Sequence, residues 1–498
     1  MTPAEPHPLL SPPGDAMKQR AVRGAIATSM SQGVKLLVQF GSVIILARLL
    51  DPRDFGIFAM VTPIIGFATL FQDFGLTQAM VTARNLSQGQ AATMFRINLG
   101  LSITVACLLA LTAPLIGLFY GEKAVVGIAM AMALQIVLAG CTASHLALLS
   151  RGMQFHKLAA LDICATLSGF AAALTVAILA PSPWALAAQT LTVSAVMLVG
   201  AWIVTGWRPI GRAATGEVKS MLRFGGGMTS FNLTNYLSRN ADNVLIGWAH
   251  GAAQLGLYDR AYKLLLFPLT QVNAPISNVM IPILSRLRDE PERYQSAYVR
   301  TLQQMLLVTV PGVAFLVATA DRLIPALMGA NWAPAVPIFM WLGLAAIHQT
   351  ISNTFGWLFV SQQRTGEYAR FGLFSAVTCI AAFVVGLPWG AEGVAAAYGI
   401  SGVIIRLPAI IAVVGRSGPV GSGDIVRLFS PYLLATGIAA GAWATAQRWL
   451  PASTLLYLCA SAILIYGAAW AVLMAMPSGR AAFGEAVKLL PIRRRSAS

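Results

Sequence analysis

The chain is a succession of long apolar runs separated by short polar, glycine- or proline-bearing breaks, and the runs are too long for strands. Fourteen such runs predict fourteen helices. The first six run from Ala25 to Leu49, Phe55 to Leu76, Ile97 to Phe119, Ala124 to Leu148, Leu158 to Ala180 and Ala185 to Thr205. The next six run from Gly225 to Ala249, Leu257 to Ile283, Leu302 to Ala320, Val336 to Val360, Phe371 to Leu387 and Gly393 to Val414. Two more run from Leu428 to Trp449 and Leu455 to Met474. Most approach or exceed the roughly 20 residues needed to cross a bilayer core, and Phe371 to Leu387 is the shortest. The expected fold class is an all-α membrane protein with about 14 transmembrane helices.

Composition supports this and removes other classes. Of 498 residues, 57% are hydrophobic and only 10% charged, against roughly 25% charged in soluble domains. The mean hydropathy is +0.71. A soluble enzyme, a disordered chain and a disulfide-rich secreted module are excluded together. The five cysteines (Cys107, Cys141, Cys164, Cys379, Cys459) lie in apolar runs without CxxC spacing, so they read as packing residues. The stretch that follows the polar N-terminus is too long for a cleaved signal and reads as a retained first span.

The net charge of +16 raises the question of a nucleic-acid partner, but the basic residues are dispersed rather than clustered with aromatics. They sort by topology instead. With fourteen spans, 24 of the 34 lysines and arginines fall on the face that carries both termini, and only Arg48, Arg53, Lys123, Arg322 and Arg448 fall on the other. The positive-inside rule then places both termini in the cytoplasm. The run Arg493, Arg494 and Arg495 reads as an anchor to anionic lipid.

A shift of 200 positions aligns Phe55-Gly56-Ile57-Phe58 with Leu255-Gly256-Leu257-Tyr258, and Gln32, Lys35 and Gln39 with Asn232, Asn235 and Arg239. Two six-helix halves entering the membrane in the same direction are expected, related by an axis along its normal. The expected division is a cytoplasmic segment 1–24, a first half 25–206, a linker 207–224, a second half 225–415, two additional helices 416–476 and a basic tail 477–498. Duplicated six-helix halves are typical of secondary transporters, which bind substrate at the repeat interface.

Charge inside a span is costly and marks a cavity or a pair. Gln32, Lys35 and Gln39 share one face of the first helix, as Asn232, Asn235, Arg239 and Asp242 do on the seventh. The candidate substrate-binding residues are Lys35, Gln39, Asn235, Arg239 and Asp242. Their positive excess favours an anion such as a phosphate or diphosphate. The competing structural reading pairs Arg239 with Asp242 as a lock. Tyr258, Asp259, Arg260 and Lys263 are candidates for the cavity rim or for interfacial anchors. Asp162, in the fifth helix, is a candidate coupling carboxylate. His145, His250 and His348 share no metal-ligand spacing, and no phosphate-binding loop or nucleophile elbow is present in the sequence, so no cofactor, metal or catalytic residue is expected.

The block Asn235-Tyr236-Leu237-Ser238-Arg239-Asn240-Ala241-Asp242-Asn243, then Leu245-Ile246-Gly247, Leu255-Gly256-Leu257-Tyr258, Ala261-Tyr262, Pro268 to Pro282 and Ser285-Arg286-Leu287 resembles the Wzx-like polysaccharide-repeat flippases. These belong to the multidrug/oligosaccharidyl-lipid/polysaccharide (MOP) exporter superfamily. Ala47-Arg48-Leu49-Leu50, Phe55-Gly56 and Phe74-Gly75-Leu76 resemble the same family's first two helices. The resemblance implies a bacterial inner-membrane protein that moves polyprenyl-diphosphate-linked glycan between leaflets by alternating access around a cationic cavity. It also suggests association with glycan polymerase and export machinery. The alternatives are a cation- or proton-coupled multidrug exporter of the same superfamily and a membrane enzyme of glycan assembly.

Overall fold

A computed structural model describes residues 17–484 except 74, 84, 212, 214, 451, 452, 478 and 481; within helices, the side chains of 17–31, 73, 215–235, 237, 238, 268, 272 and 274 fall outside the description. Among the described residues all regular structure is helical. The long helices are α1 (Met17–Leu49), α2 (Pro52–Asp73), a short α3 (Leu76–Thr82), α4 (Gln88–Tyr120), α5 (Lys123–Arg151), α6 (Phe155–Leu179) and α7 (Trp184–Thr205). They continue as α8 (Thr215–Arg286), α9 (Pro291–Ala318), a short α10 (Ala320–Met328) and α11 (Ala335–Ser361). The last are α12 (Thr365–Gly386), α13 (Gly390–Ser401), α14 (Leu407–Gly415), α15 (Ser422–Ala446) and α16 (Thr454–Ala475).

Eleven helices, or twelve if the bent pair around 272–274 is one span, are long and apolar enough to cross a membrane among the described residues. At two of the expected breaks the chain passes from one helix to the next through a tight corner without a loop, so four expected runs fall on two continuous stretches. The seventh and eighth runs share α8, in which two helices meet at a kink at Gly251 (φ 77, ψ −177). That left-handed φ is open to glycine at little cost, so the chain turns a corner without a loop. The eleventh and twelfth runs share the stretch Thr365–Gly415, broken only by the turn Leu387–Trp389.

The chain forms two compact units, Met1–Gly256 and Leu257–Ser498. In the first, α4 packs on α5 and α6 on α7, around buried Leu76, Met80, Phe95, Leu148, Leu149 and Trp207. In the second, α9, α11 and α15 surround Tyr294, Tyr298, Phe355, Trp357, Phe429 and Tyr432. Two of the buried hydroxyls there find partners, Tyr294 with Ser361 at 2.6 Å and Tyr298 with Thr354 at 3.0 Å, while the Tyr432 hydroxyl has no hydrogen-bond partner among the described residues.

Within the first unit, α2 lies against the later part of α8 at backbone contact distance. A Cβ placed on Gly56 would meet the Ala252 carbonyl oxygen at 1.6 Å, and one on Gly256 would meet the Pro52 carbonyl oxygen at 1.8 Å. Adding 200 to Pro52 and Gly56 yields Ala252 and Gly256, so the two contacts exchange under the shift that aligns the repeated segments. Small residues at such crossings let helices approach where lipid offers no hydrophobic drive. Gly56→Ala is therefore expected to destabilise the protein by at least about 2 kcal/mol through overpacking. Gly441→Ala, in open space on α15, should be neutral or stabilising by comparison; thermal melting in detergent checks both.

Candidate functional site

In the first unit, α6 carries Ala165, Gly169, Ala173 and Ala177 at four-residue spacing, all buried. This stripe packs on α7, where a Cβ on Gly169 would meet Val193 and the Gln189 carbonyl. Asp162 faces another neighbour. Its carboxylate lies 3.9 Å from Lys35 Nζ on α1, with the two side chains 37% and 30% exposed. The pair is a long one, within ion-pair range but beyond hydrogen-bond length. Two candidates from separate parts of the sequence reading, the midplane cation and the coupling carboxylate, are thus brought together.

One turn further along α1, Gln39 is exposed, while Ser42 is buried and accepts a hydrogen bond from Gln189 of α7 at 3.1 Å. This contact and the Lys35–Asp162 pair hold α1 to α7 and α6. On α8, Arg239 is exposed and Asp242 is buried. An Asp242 oxygen accepts from the Asn243 backbone N–H at 2.8 Å, and no ion pair within 4 Å joins Arg239 to Asp242 among the described residues. The side chains of Asn232 and Asn235 lie outside the described residues. Tyr236, between them and Arg239, donates its hydroxyl to the Thr62 and Pro63 carbonyls of α2 at 3.3 and 3.1 Å. That contact fixes the rotation of this part of α8.

The candidate rim residues lie in the second unit and form an ionic cluster around the buried carboxylate of Asp259. Asp259, 3% exposed, sits 2.7 Å from Lys263 Nζ and 3.3 Å from Arg260 Nε. Tyr258 is buried and its ring stacks on Tyr262 with centroids 6.1 Å apart. Tyr262 in turn approaches Tyr398 of α13 at 6.5 Å.

Beyond Tyr398 lies a residue that the sequence reading left outside the site. Arg406 is 3% exposed at the end of a π-helical turn, Gly402–Arg406. Its guanidinium donates to the Tyr398 carbonyl at 2.6 Å and to Cys379 Sγ at 2.7 Å, and its central carbon lies 4.3 Å from the centroid of the Tyr398 ring. The Nε has no hydrogen-bond partner among the described residues. Gln349 of α11 donates to the Tyr398 hydroxyl at 2.9 Å. The available sequence signal was a charge in the middle of the twelfth run; nothing in the sequence pointed to its partners. A π turn inserts one residue into the helical repeat and is frequent at functional positions. Arg260, Lys263 and Arg406 are thus three buried or half-buried cations linked through two tyrosines to one carboxylate, Asp259.

Removing one member of a buried ion cluster leaves charge uncompensated, at a cost of about 3–5 kcal/mol. Asp259→Asn should lower the melting temperature by the equivalent of that range. Adding Lys263→Gln should recover part of the loss, and a two-variant melting series checks both.

The sequence profile of the family described as polysaccharide biosynthesis protein matches residues 45–337. The lipopolysaccharide biosynthesis protein WzxC of Escherichia coli K12 is 23% identical over 74% of this chain and 76% of its own length. Among solved structures, lipid II flippase MurJ in an inward closed conformation superposes with a TM-score of 0.70 at 13% identity, over 91% of this chain and 99% of its own. An inward-facing multidrug resistance MATE transporter of the MOP superfamily gives 0.60 at 14% identity, over 79% and 95%. At such identities the two structures speak for the fold alone. The profile match covers more than half of the sequence, and the chain belongs to the polysaccharide biosynthesis protein family, with the fold of the MOP exporter superfamily.

Proposed function

We propose that this protein is a flippase that moves polyprenyl-diphosphate-linked oligosaccharide units from the inner to the outer leaflet of the bacterial inner membrane, with both termini cytoplasmic. The observation that carries the reading is the placement of Lys35. It lies inside a span, partly exposed, in a stretched pair with Asp162. A second cation, Arg239, stands exposed on α8 without an ion pair among the described residues. Two unit charges about 4 Å apart attract by about 4 kcal/mol at an effective dielectric of 20. A diphosphate brings more negative charge than one carboxylate and displaces Asp162 from Lys35. Arg239 supplies a planar fork for the same group. Gln39 and Asn235 hydrogen-bond phosphate or sugar oxygens, and the polyprenyl tail stays in lipid. Alternating access around this cationic cavity then carries the headgroup across.

Asp162, released from Lys35 by substrate, is the candidate coupling carboxylate in this scheme and returns to Lys35 when the glycan leaves. WzxC, named for lipopolysaccharide biosynthesis, supports glycan over drug as cargo. The fold alone is shared with drug exporters and does not choose.

Each charged hydrogen bond contributes about 1.5–3 kcal/mol. Lys35→Ala combined with Arg239→Ala should therefore lower glycan export at least about tenfold while protein accumulates normally in the membrane. Lipid-linked glycan on the two leaflets is the quantity to measure. Undiminished export by the folded double variant removes the assignment; hypersensitivity of a deletion strain to cationic dyes, with glycan export intact, favours the drug exporter.

A further inference from the structure

We propose that the ends of α10, α15 and α16 form a binding site for the phosphate of an anionic phospholipid. The proposal is independent of the transport reading. A cavity of about 500 Å³ opens there, lined by Asp321, Arg322, Thr445, Gln447, Arg448 and Tyr457 with Ala444. The sequence topology assigns only five basic residues to the face opposite the termini, and two of them, Arg322 and Arg448, share this one cavity. They arrive from different elements: Arg322 from the first turn of α10, Arg448 from the turn Gln447–Trp449 that closes α15. On a face otherwise nearly free of cations, such convergence gathers positive charge that outweighs Asp321 by one unit.

Packing pre-orients one of the two. The Arg322 guanidinium carbon sits 3.9 Å from the centroid of the Tyr457 ring, and Tyr457 is buried. The Trp443 indole N–H donates to Ser461 at 3.0 Å, joining α15 to α16 beside it. A guanidinium placed against an aromatic face keeps its charge and its planar set of N–H donors, the chemistry that suits phosphate oxygens. Thr445 and Gln447 add neutral polar groups.

The surroundings select a lipid over a free anion. Trp449 is 82% exposed beside Arg448, in the manner of an interfacial anchor. Leu455, Leu456 and Ile463 of α16 and Ile438 of α15 are exposed apolar side chains on the same two helices. A ligand that pairs a phosphodiester with acyl chains matches both the cationic cavity and the apolar flank; inorganic phosphate matches only the first.

The test uses the full-length protein, purified and delipidated, offered an equimolar mixture of phosphatidylglycerol and phosphatidylcholine and read by native mass spectrometry. Retention of phosphatidylglycerol about fivefold over phosphatidylcholine is expected, falling toward parity in Arg448→Gln. Arg448 is exposed, so its replacement leaves the core intact. Arg427→Gln, at the other end of α15, should keep the preference, and millimolar inorganic phosphate should not displace the lipid. Equal retention of both lipids, an unchanged preference in Arg448→Gln, an equal loss in Arg427→Gln, or displacement by inorganic phosphate would each overturn the proposal.

Discussion

Hydrocarbon gives an uncompensated charge nowhere to go, and that constraint governs where every ionic group in this protein sits. Backbone groups meet it by folding into helix throughout the described residues. Side chains meet it in three ways. Asp259 gathers Arg260 and Lys263 into a cluster. Arg406 takes a carbonyl, a thiol and an aromatic face in place of a carboxylate. Lys35 is held loosely, by one carboxylate at 3.9 Å. A group held this loosely loses little when a better anion arrives, and for that reason the functional reading centres on it.

The same solvent changes what packing must do. Lipid tails are as apolar as the helices, so association depends on close approach and on hydrogen bonds. The alanine and glycine stripe of α6 and the Gly56 and Gly256 crossings are the clearest cases. They also set the site. By committing one face of α6 to α7, the stripe leaves Asp162 on a face that α1 can reach. The Tyr236 bond to α2 similarly fixes how Arg239 is presented.

Much of the fold was legible because apolar run length is a one-dimensional property: each predicted run falls on helix, although several helices start well before the apolar run, α4 at Gln88 against Ile97 and α9 at Pro291 against Leu302. The count was less legible. The corner at Gly251 looks like a loop in sequence, yet it joins two helices with no loop between them. Candidate site residues were legible singly. Asp259 and Lys263, four apart, share a helix face by spacing. The Lys35–Asp162 pair depends on α1 packing against α6, which no local pattern encodes, and the two residues entered the sequence reading in separate roles. Arg406 was visible as a mid-span charge, yet its partners lie on α12 and α13, and no local pattern encodes them or the π turn.

Affinity of the purified protein for a polyprenyl-diphosphate oligosaccharide, compared with a neutral polyprenyl glycoside bearing the same sugars, tests most directly whether Lys35 and Arg239 grip the diphosphate. The account predicts much tighter binding of the diphosphate, weakening as salt rises and largely lost in Lys35→Gln. Equal affinity for the two lipids, unaffected by that substitution, would contradict it.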